Sequence, residues 1–215
     1  MRNPIKCILS SNIAWRLTGL TYATAVIATN GGYLPKKRYI NVGKGEMKIF
    51  SSYLNRNETV LEFGCGPGKN LFGIADLVKI GYGIDVNPRY IRLAMKLAKK
   101  YNFNNLHFIK YDGINFPDIP KADLIFEKGV FERLDKTIVG SYVEKLKGYL
   151  NEKGVIILYF LMEKGRGTQL TKRLGDSAYV FWDHNEIQVM LKARDLRIRE
   201  VIGGEQVNYY VCEPC

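Results

Sequence analysis

The chain has 215 residues, of which 47% are hydrophobic, and a formal net charge of +11. This length fits one large domain, or one domain with a small appendage, and the hydrophobic content excludes global disorder. No run of about 18 apolar residues occurs, so we expect no membrane span. The four cysteines are few and scattered, which suits a reducing, cytoplasmic location. The terminal pair Cys212 and Cys215 lacks further ligands at zinc spacing, so we expect no metal site.

The positive charge is concentrated in the first part of the chain. Residues 1–59 carry nine Lys and Arg against two acids, whereas residues 160–215 carry eight of each. The densest cluster is Lys36-Lys37-Arg38. Such a basic segment suits an acidic partner, a nucleic acid or an anionic membrane surface. A solvated surface that keeps the protein soluble explains it equally well.

The spacing of apolar residues predicts helices first and then alternating strands and helices. A helix is predicted from Asn12 to about Thr29, a loop over 33–42 and a second helix over 44–54. The later predicted strands cover 59–63, 80–85, 105–110, 122–127, 154–161, 196–202 and 206–212. The helices between them cover 69–79, 89–101, 136–150 and 185–193. This order predicts an α/β fold with a doubly wound, mostly parallel, seven-stranded sheet, helices on both faces and an antiparallel last strand from a terminal hairpin.

The predicted organisation is one domain with two additions. Residues 1–43 form a basic helical extension packed on the core, and residues 44–215 form the domain. An insert at about 163–184 carries Tyr179, Phe181 and Trp182. These aromatic residues line an acceptor pocket, where they can hold a cationic amine, or they pack the insert onto the core.

The segment from Val60 to Asn70 joins a predicted buried strand to a helix through a glycine-rich turn. Glycines 64, 66 and 68 permit positive φ, and the helix directs free N–H groups at the turn. The third glycine comes one residue too early for the dinucleotide fingerprint G-x-G-x-x-G, and no P-loop pattern is present. Glu62 precedes the turn. Its carboxylate would repel a phosphate but favour a cationic ligand such as a sulfonium or an α-amino group.

The resulting pattern, acid-x-G-x-G-x-G, resembles the first motif of the class I S-adenosylmethionine (SAM) methyltransferases. The resemblance covers about residues 41–212, including the terminal hairpin. It implies that SAM is the cofactor and that the turn binds it. The residues of the turn that it implicates in cofactor binding are Glu62, Gly64, Cys65, Gly66 and Gly68.

Asp85 ends the second predicted strand, seventeen residues after Gly68. A carboxylate at this position can accept hydrogen bonds from two ribose hydroxyls. The context Gly83-Ile84-Asp85-Val86-Asn87 matches the family's ribose-binding segment, which implies that Asp85 and Val86 contact the ribose. A helix cap before Pro88 is the alternative role for Asp85.

Asp112 and Gly113 follow the third predicted strand. In the family, a carboxylate here accepts a hydrogen bond from the adenine amine, and a neighbouring backbone N–H contacts the ring. The resemblance therefore implies that Asp112 and Gly113 bind adenine. An Asx turn that leads into the following loop is the alternative.

The resemblance places the transferable methyl group beside residues 127–129, at the end of the fourth predicted strand. The Asp/Asn-Pro-Pro-aromatic motif of the members that methylate base amines or glutamine is missing here, which argues against those acceptors. Glu132 stands where many small-molecule members have a histidine, so it is a candidate general base. An ion pair with a neighbouring Lys or Arg is its alternative role. Glu127 is the second catalytic candidate, and it could also orient the SAM amino group or a cationic acceptor.

The implied function is transfer of a methyl group from SAM to a small molecule or a protein side chain. Three alternatives stay open: a SAM-binding scaffold without activity, a nucleic-acid methyltransferase that uses the basic N-terminal segment, and aminopropyl transfer to a polyamine. No recognisable RNA-binding appendage accompanies the basic cluster. Aminopropyl transfer would require more acids at the fourth strand than Glu127 and Glu132.

Overall fold

The structure is a computed structural model that describes residues 20–30, 32–167 and 179–215. Its contacts divide the chain into two compact units. We call the described residues 20–119 the amino-terminal unit and the described residues 120–215 the carboxy-terminal unit. The first part of the helix predicted from Asn12, and part of the predicted insert, lie outside the described residues.

The amino-terminal unit contains a parallel three-stranded arrangement. Its helices are α1 (Tyr22–Asn30), α2 (Lys36–Met47), α3 (Lys69–Ile74) and α4 (Pro88–Tyr101), with 3-10 turns at Lys48–Tyr53 and Ala75–Leu77. Its strands are β1 (Thr59–Phe63), β2 (Ile80–Asp85) and β3 (Leu106–Lys110), in the order β3-β2-β1. Phe63 lies opposite Ile84, and Asp85 lies opposite Lys110. The carboxyl ends of the three strands therefore meet at one edge.

The predicted loop over residues 33–42 is wrong from Lys36 onward, because α2 begins there. The predicted helix over 44–54 is the end of α2 followed by a 3-10 turn. The reason is tertiary packing between α2 and α3. A Cβ on Gly43 would collide with the carbonyl oxygen of Lys69, and a Cβ on Gly73 would collide with the backbone of Gly43. This close approach stabilises a helix of low intrinsic propensity, and the predicted boundary between residues 43 and 44 lies inside it.

The carboxy-terminal unit contains the mixed part of the sheet. Its strands are β4 (Ala122–Glu127), β5 (Leu150–Met162), β6 (Phe181–Trp182), β7 (Leu196–Gly203) and β8 (Val207–Pro214). Its helices are α5 (Lys136–Gly148) and α6 (His184–Lys192), with 3-10 turns at Phe131–Arg133 and Glu163–Gly165. The order is β4-β5-β8-β7, with β6 beside the end of β5. The predicted terminal hairpin is confirmed as β7–β8, whereas β6 was not predicted.

The strand pairs are mostly parallel, and the antiparallel pairs all involve β8. This confirms the predicted α/β fold class. The strand β5 is buried from Gly154 to Met162, as expected for a strand covered on both faces. No helix in the described part of the chain has the length and apolar character to cross a membrane.

Candidate functional site

The glycine-rich turn between β1 and α3 is held to the end of β2. The N–H groups of Gly64 and Cys65 both donate to the carbonyl oxygen of Ile84, at 2.8 and 3.0 Å. The φ angles of Gly64, Gly66 and Gly68 are 72°, 53° and 87°, so each adopts the left-handed region that favours glycine. At Gly68, a Cβ would also lie 2.9 Å from the ring of Phe108. The glycine pattern thus produces a turn of fixed shape in which no Cβ at these three positions blocks a ligand from the backbone.

Buried polar groups lie beside this turn. Glu62 is 1% exposed, and its Oε1 accepts a hydrogen bond of 2.6 Å from Asn70 Nδ2. The Oδ1 of Asn70 is buried and has no hydrogen-bond partner among the described residues. Burial, reinforced by the charge of Glu62, raises the pKa of Tyr39 well above its usual value of 10. An acceptor without a partner next to a buried carboxylate suits a ligand that donates hydrogen bonds, such as an ammonium group.

Asp85 is fixed by backbone donors at the end of β2. Its Oδ2 accepts from Gly66 N at 2.9 Å, and its Oδ1 accepts from Asn87 N at 2.7 Å. Desolvation raises the pKa of Asp85 from 3.8 to about 6, against the opposing effect of these N–H groups. The cap of α4 is Asn87, whose Oδ1 accepts from Arg89 N at 2.9 Å. The alternative role of Asp85 as that cap is therefore wrong, and its free lone pairs can accept from a ligand.

Asp112 closes the loop that follows β3. Its Oδ1 accepts from the N–H groups of Ile114 and Asn115, both at 2.7 Å, and its Oδ2 accepts from the Asn115 side chain at 2.8 Å. These bonds lower the pKa of Asp112 to about 2. Gly113 has a φ of 94°. The Asx-turn geometry is present, and binding of adenine by Asp112 and Gly113 stays a prediction.

These groups fit SAM better than a dinucleotide. Two buried or partly buried carboxylates, Glu62 and Asp85, flank the turn on adjacent strands. Within the described chain, Asp85 has no Lys or Arg in ion-pair contact. Negative charge here would repel a pyrophosphate and attract a sulfonium or ammonium group. Cys65 is buried, and burial raises the pKa of its thiol well above 9, so we assign it no thiolate chemistry.

Glu127 ends β4 in the carboxy-terminal unit and is fully buried. Its Oε1 accepts from Tyr159 N at 2.9 Å, while its Oε2 accepts from Val130 N at 3.1 Å and from Phe131 N at 3.3 Å. Burial outweighs these donors and raises the pKa of Glu127 to about 8. The carboxyl group therefore binds backbone of its own unit, and its predicted contacts with SAM and acceptor stay predictions.

Glu132 lies in the 3-10 turn after β4, with a side chain that is 13% exposed. Its Oε1 accepts from Arg133 Nε at 3.2 Å, so the ion pair that was the alternative reading is present. Desolvation nonetheless raises the pKa of Glu132, against the effect of Arg133. Arg133 in turn stacks on the ring of Tyr179, 4.0 Å from its centroid. A carboxylate with a raised pKa is a stronger base than an exposed one.

Sequence reasoning missed three residues at these sites: Tyr39, Asn70 and Asn87. Asn70 follows the glycine turn directly, and its eight-residue separation from Glu62 gave no sign of contact. Asn87 stands before Pro88, and Asn followed by Pro at a helix start is a recognisable cap signal. Tyr39 lies in the stretch that was predicted as loop, so its burial could not be foreseen.

A family model described as a methyltransferase domain matches residues 54–173, more than half of the chain. Solved structures share the fold over nearly the full length. Magnesium protoporphyrin IX methyltransferase from Synechocystis PCC 6803, solved with SAM, has a TM-score of 0.72 at 14% identity and covers 97% of both chains. The CcbJ methyltransferase from Streptomyces caelestis has a TM-score of 0.70 at 14% identity, over 91% of this chain and 98% of that one.

A third similar structure is the complex of DhpI with SAH. Its TM-score is 0.68 at 18% identity, over 100% of this chain and 98% of that one. No curated protein matches the chain in sequence. The structural likenesses at this identity show the fold, and the domain match shows the family. The chain therefore belongs to the methyltransferase-domain family, with the class I fold and SAM as its cofactor.

Proposed function

We propose that the chain transfers the methyl group of SAM to a small molecule or a protein side chain. The observation that carries this proposal is the turn of Gly64, Gly66 and Gly68 with Glu62 and Asp85 at the ends of adjacent strands. That arrangement suits a cationic cofactor with ribose hydroxyls. The names of two similar structures, a magnesium protoporphyrin IX methyltransferase and CcbJ methyltransferase, support a transferase. The first is a small-molecule enzyme by its name.

The amino-terminal unit supplies the cofactor contacts in this proposal. Asp85 and Val86 bind the ribose, and Asp112 and Gly113 bind adenine. The backbone of Cys65 lies along the cofactor, and Glu62 with Asn70 binds the α-amino group. SAM supplies an electrophilic methyl group on a sulfonium leaving group, so position and exclusion of water provide much of the rate.

The carboxy-terminal unit supplies the remaining roles. Glu132 removes a proton from the acceptor, because burial raises its pKa and makes it a stronger base than an exposed carboxylate. Glu127 acts as a positioning residue. Its carboxyl group accepts from the N–H groups of Val130 and Phe131 and from Tyr159 on β5, so it ties the turn after β4 to β5. The turn in turn sets the position of Glu132, the next residue.

The test is to incubate the purified protein with SAM that is labelled in its methyl group and with fractionated extract of the source organism. We expect label in a small-molecule or protein fraction with the wild type and none with Asp85→Ala. Label in RNA or DNA would instead establish the nucleic-acid alternative. Bound SAM that never turns over with any fraction would establish a scaffold and refute the proposal.

A further inference from the structure

The amino-terminal unit holds most of the excess positive charge. Residues 20–119 contain fourteen Lys and Arg against seven acids, while residues 120–215 contain fifteen against fourteen. Two stretches of the unit, 20–45 and 86–111, contain no acidic residue at all. The sequence had directed attention to the first stretch alone. The second stretch includes the whole of α4.

The outer face of α4 is a stripe of cations. Its basic residues are Arg89, Arg92, Lys96, Lys99 and Lys100, spaced mostly three or four apart and therefore on one face. At 1.5 Å per residue the stripe is about 17 Å long. Arg92 and the three lysines are exposed, and none of these four has an acidic partner within the described residues. The opposite face of the helix, which includes Ile91, Ala94 and Leu97, is buried.

The first turn of α2 adds three exposed cations, Lys36, Lys37 and Arg38. A helix N-terminus favours acidic side chains, so three cations there are unfavourable for the helix. The turn has no acid and no side-chain cap to offset them. A surface that served solubility alone would not require this placement. Binding of an anion would remove the penalty.

An aromatic ring lies beside a lysine in each of the two groups of cations. Lys36 Nζ lies 5.5 Å from the ring centroid of Tyr22, and Lys100 Nζ lies 5.7 Å from that of Tyr101. Tyr22 packs edge-on against Tyr33 at 6.1 Å. Burial, with smaller contributions from Tyr33 and Tyr101, raises the pKa of Tyr22 to about 12. We call the cations of α2 and α4 the basic face; they are Lys36, Lys37, Arg38, Arg92, Lys96, Lys99 and Lys100.

Large apolar side chains are exposed on α4 and on the segments just before α1 and α2. Leu20 is 73% exposed, Tyr33 is 58% exposed and Met95 is 54% exposed. Met95 lies on α4 among the cations, and Leu20 and Tyr33 flank Tyr22. Cations combined with exposed apolar side chains are the two components of reversible binding to an anionic lipid interface. We propose that the basic face docks this protein on an anionic membrane surface, with Leu20, Tyr33 and Met95 entering the headgroup region.

A nucleic acid fits the same charges but not the same apolar groups. Bases stack on aromatic rings, and aliphatic side chains such as Leu20 and Met95 add little to such binding. Of Tyr22, Tyr33 and Tyr101, only Tyr33 is more than half exposed. A lipid interface uses all of these groups, because aliphatic chains and the ring of Tyr33 enter it while the lysines remain at the headgroups.

The test is co-sedimentation with vesicles of phosphatidylcholine, with and without about 30% phosphatidylserine, at low salt, where surface charges are least screened. Each lysine near an anionic lipid surface increases the binding affinity about fivefold. The variant Lys96→Gln/Lys99→Gln/Lys100→Gln should therefore bind phosphatidylserine vesicles roughly 100-fold more weakly. The matched control removes three exposed charges from the carboxy-terminal unit, Lys153→Gln/Lys192→Gln/Arg199→Gln, and should bind like the wild type. Equal losses in the two variants would refute the assignment to the basic face.

A second variant separates lipid from nucleic acid. Leu20→Ser/Met95→Gln keeps every charge of the basic face. It should bind phosphatidylserine vesicles several-fold more weakly and bind a poly(U) RNA as the wild type does. Unchanged binding to vesicles, together with tight binding of poly(U) that the triple lysine variant abolishes, would overturn the proposal in favour of a nucleic acid. These readouts contain no SAM, so their failure would leave the proposed methyl transfer untouched.

Discussion

Replacement of Asp85 by Asn tests the cofactor site most directly. The carboxylate accepts from Gly66 N with one oxygen and from Asn87 N with the other. Asn keeps the shape but has one acceptor oxygen, so its amide must face one of these N–H donors. Hydrogen bonds to a charged group contribute about 1.5–3 kcal/mol. Loss of the proposed hydrogen bonds from the ribose hydroxyls to this carboxylate should weaken binding of S-adenosylhomocysteine about 10- to 150-fold.

The measurement is isothermal titration calorimetry with S-adenosylhomocysteine. The matched control is Asp76→Asn, which changes the same charge in the same unit at a carboxylate that is 69% exposed and pairs with Lys44. We expect the control to bind within about twofold of the wild type, because exposed ion pairs contribute little. A folded Asp85→Asn variant that also binds within twofold of the wild type would refute the ribose assignment.

The pH dependence of the same titration provides a second readout. Because the pKa of Asp85 is raised to about 6, the carboxylate accepts hydrogen bonds most strongly above pH 6. Affinity for the ligand should fall as the pH is lowered from 7.5 to 5 in the wild type and stay nearly flat in Asp85→Asn. The free energy of unfolding of the protein without ligand changes with pH in the opposite direction to the affinity. The contribution of Asp85 to the free energy of unfolding is fully present below pH 3.8 and is lost as the pH rises through about 6. Parallel pH profiles for the two proteins would contradict this reasoning.

Three further substitutions test other contacts. Above its pKa of about 8 Glu127 is ionised, so at pH 9 Glu127→Gln places an amide against N–H donors that the carboxylate satisfies. It should then cost about 1–3 kcal/mol and lower the Tm by roughly 2–12 °C in a thermal melt; an unchanged Tm at that pH would contradict the geometry. Glu132→Gln should lower the rate of methyl transfer at least about tenfold in a single-turnover assay while calorimetry shows unchanged cofactor affinity. In Gly43→Ala the new methyl group would collide with the carbonyl oxygen of Lys69 and push α2 away from α3. The free energy of unfolding, measured with urea, should fall by about 2 kcal/mol or more. Gly45→Ala, with nothing within 4 Å, is its control and should be neutral or stabilising.

The cofactor-binding half of the fold was predictable because its signals are local. The alternation from β1 to α4 follows from apolar runs separated by turn residues, and Glu62, the glycines and Asp85 stand at strand ends that any parallel sheet brings together. The cap at Asn87 was missed, although Asn before Pro at a helix start is an equally local signal. These features depend on residues close in sequence, which is why their placement could be inferred.

What could not be predicted depends on contacts distant in sequence. The helix α2 begins with three cations after Pro35 and contains two glycines, so its own residues argue against it. Only the approach of Gly43 to α3 explains why it forms. Glu127 likewise stands at a strand end like Asp85, yet its carboxyl turns inward to Tyr159 N on β5, 32 residues away. Position at a strand end indicates a site, but the direction of the side chain is set by tertiary structure.

The charges of the amino-terminal unit occupy two environments that salt affects differently. Asp85 is held by backbone N–H groups, whereas the lysines of the basic face extend into solvent. Exposed charges are screened beyond about 8–10 Å at physiological ionic strength, and buried ones much less. Salt that releases the protein from vesicles should therefore leave its affinity for S-adenosylhomocysteine almost unchanged. Docking and cofactor binding then depend on separate charges of one unit, so either can be lost by substitution while the other is kept.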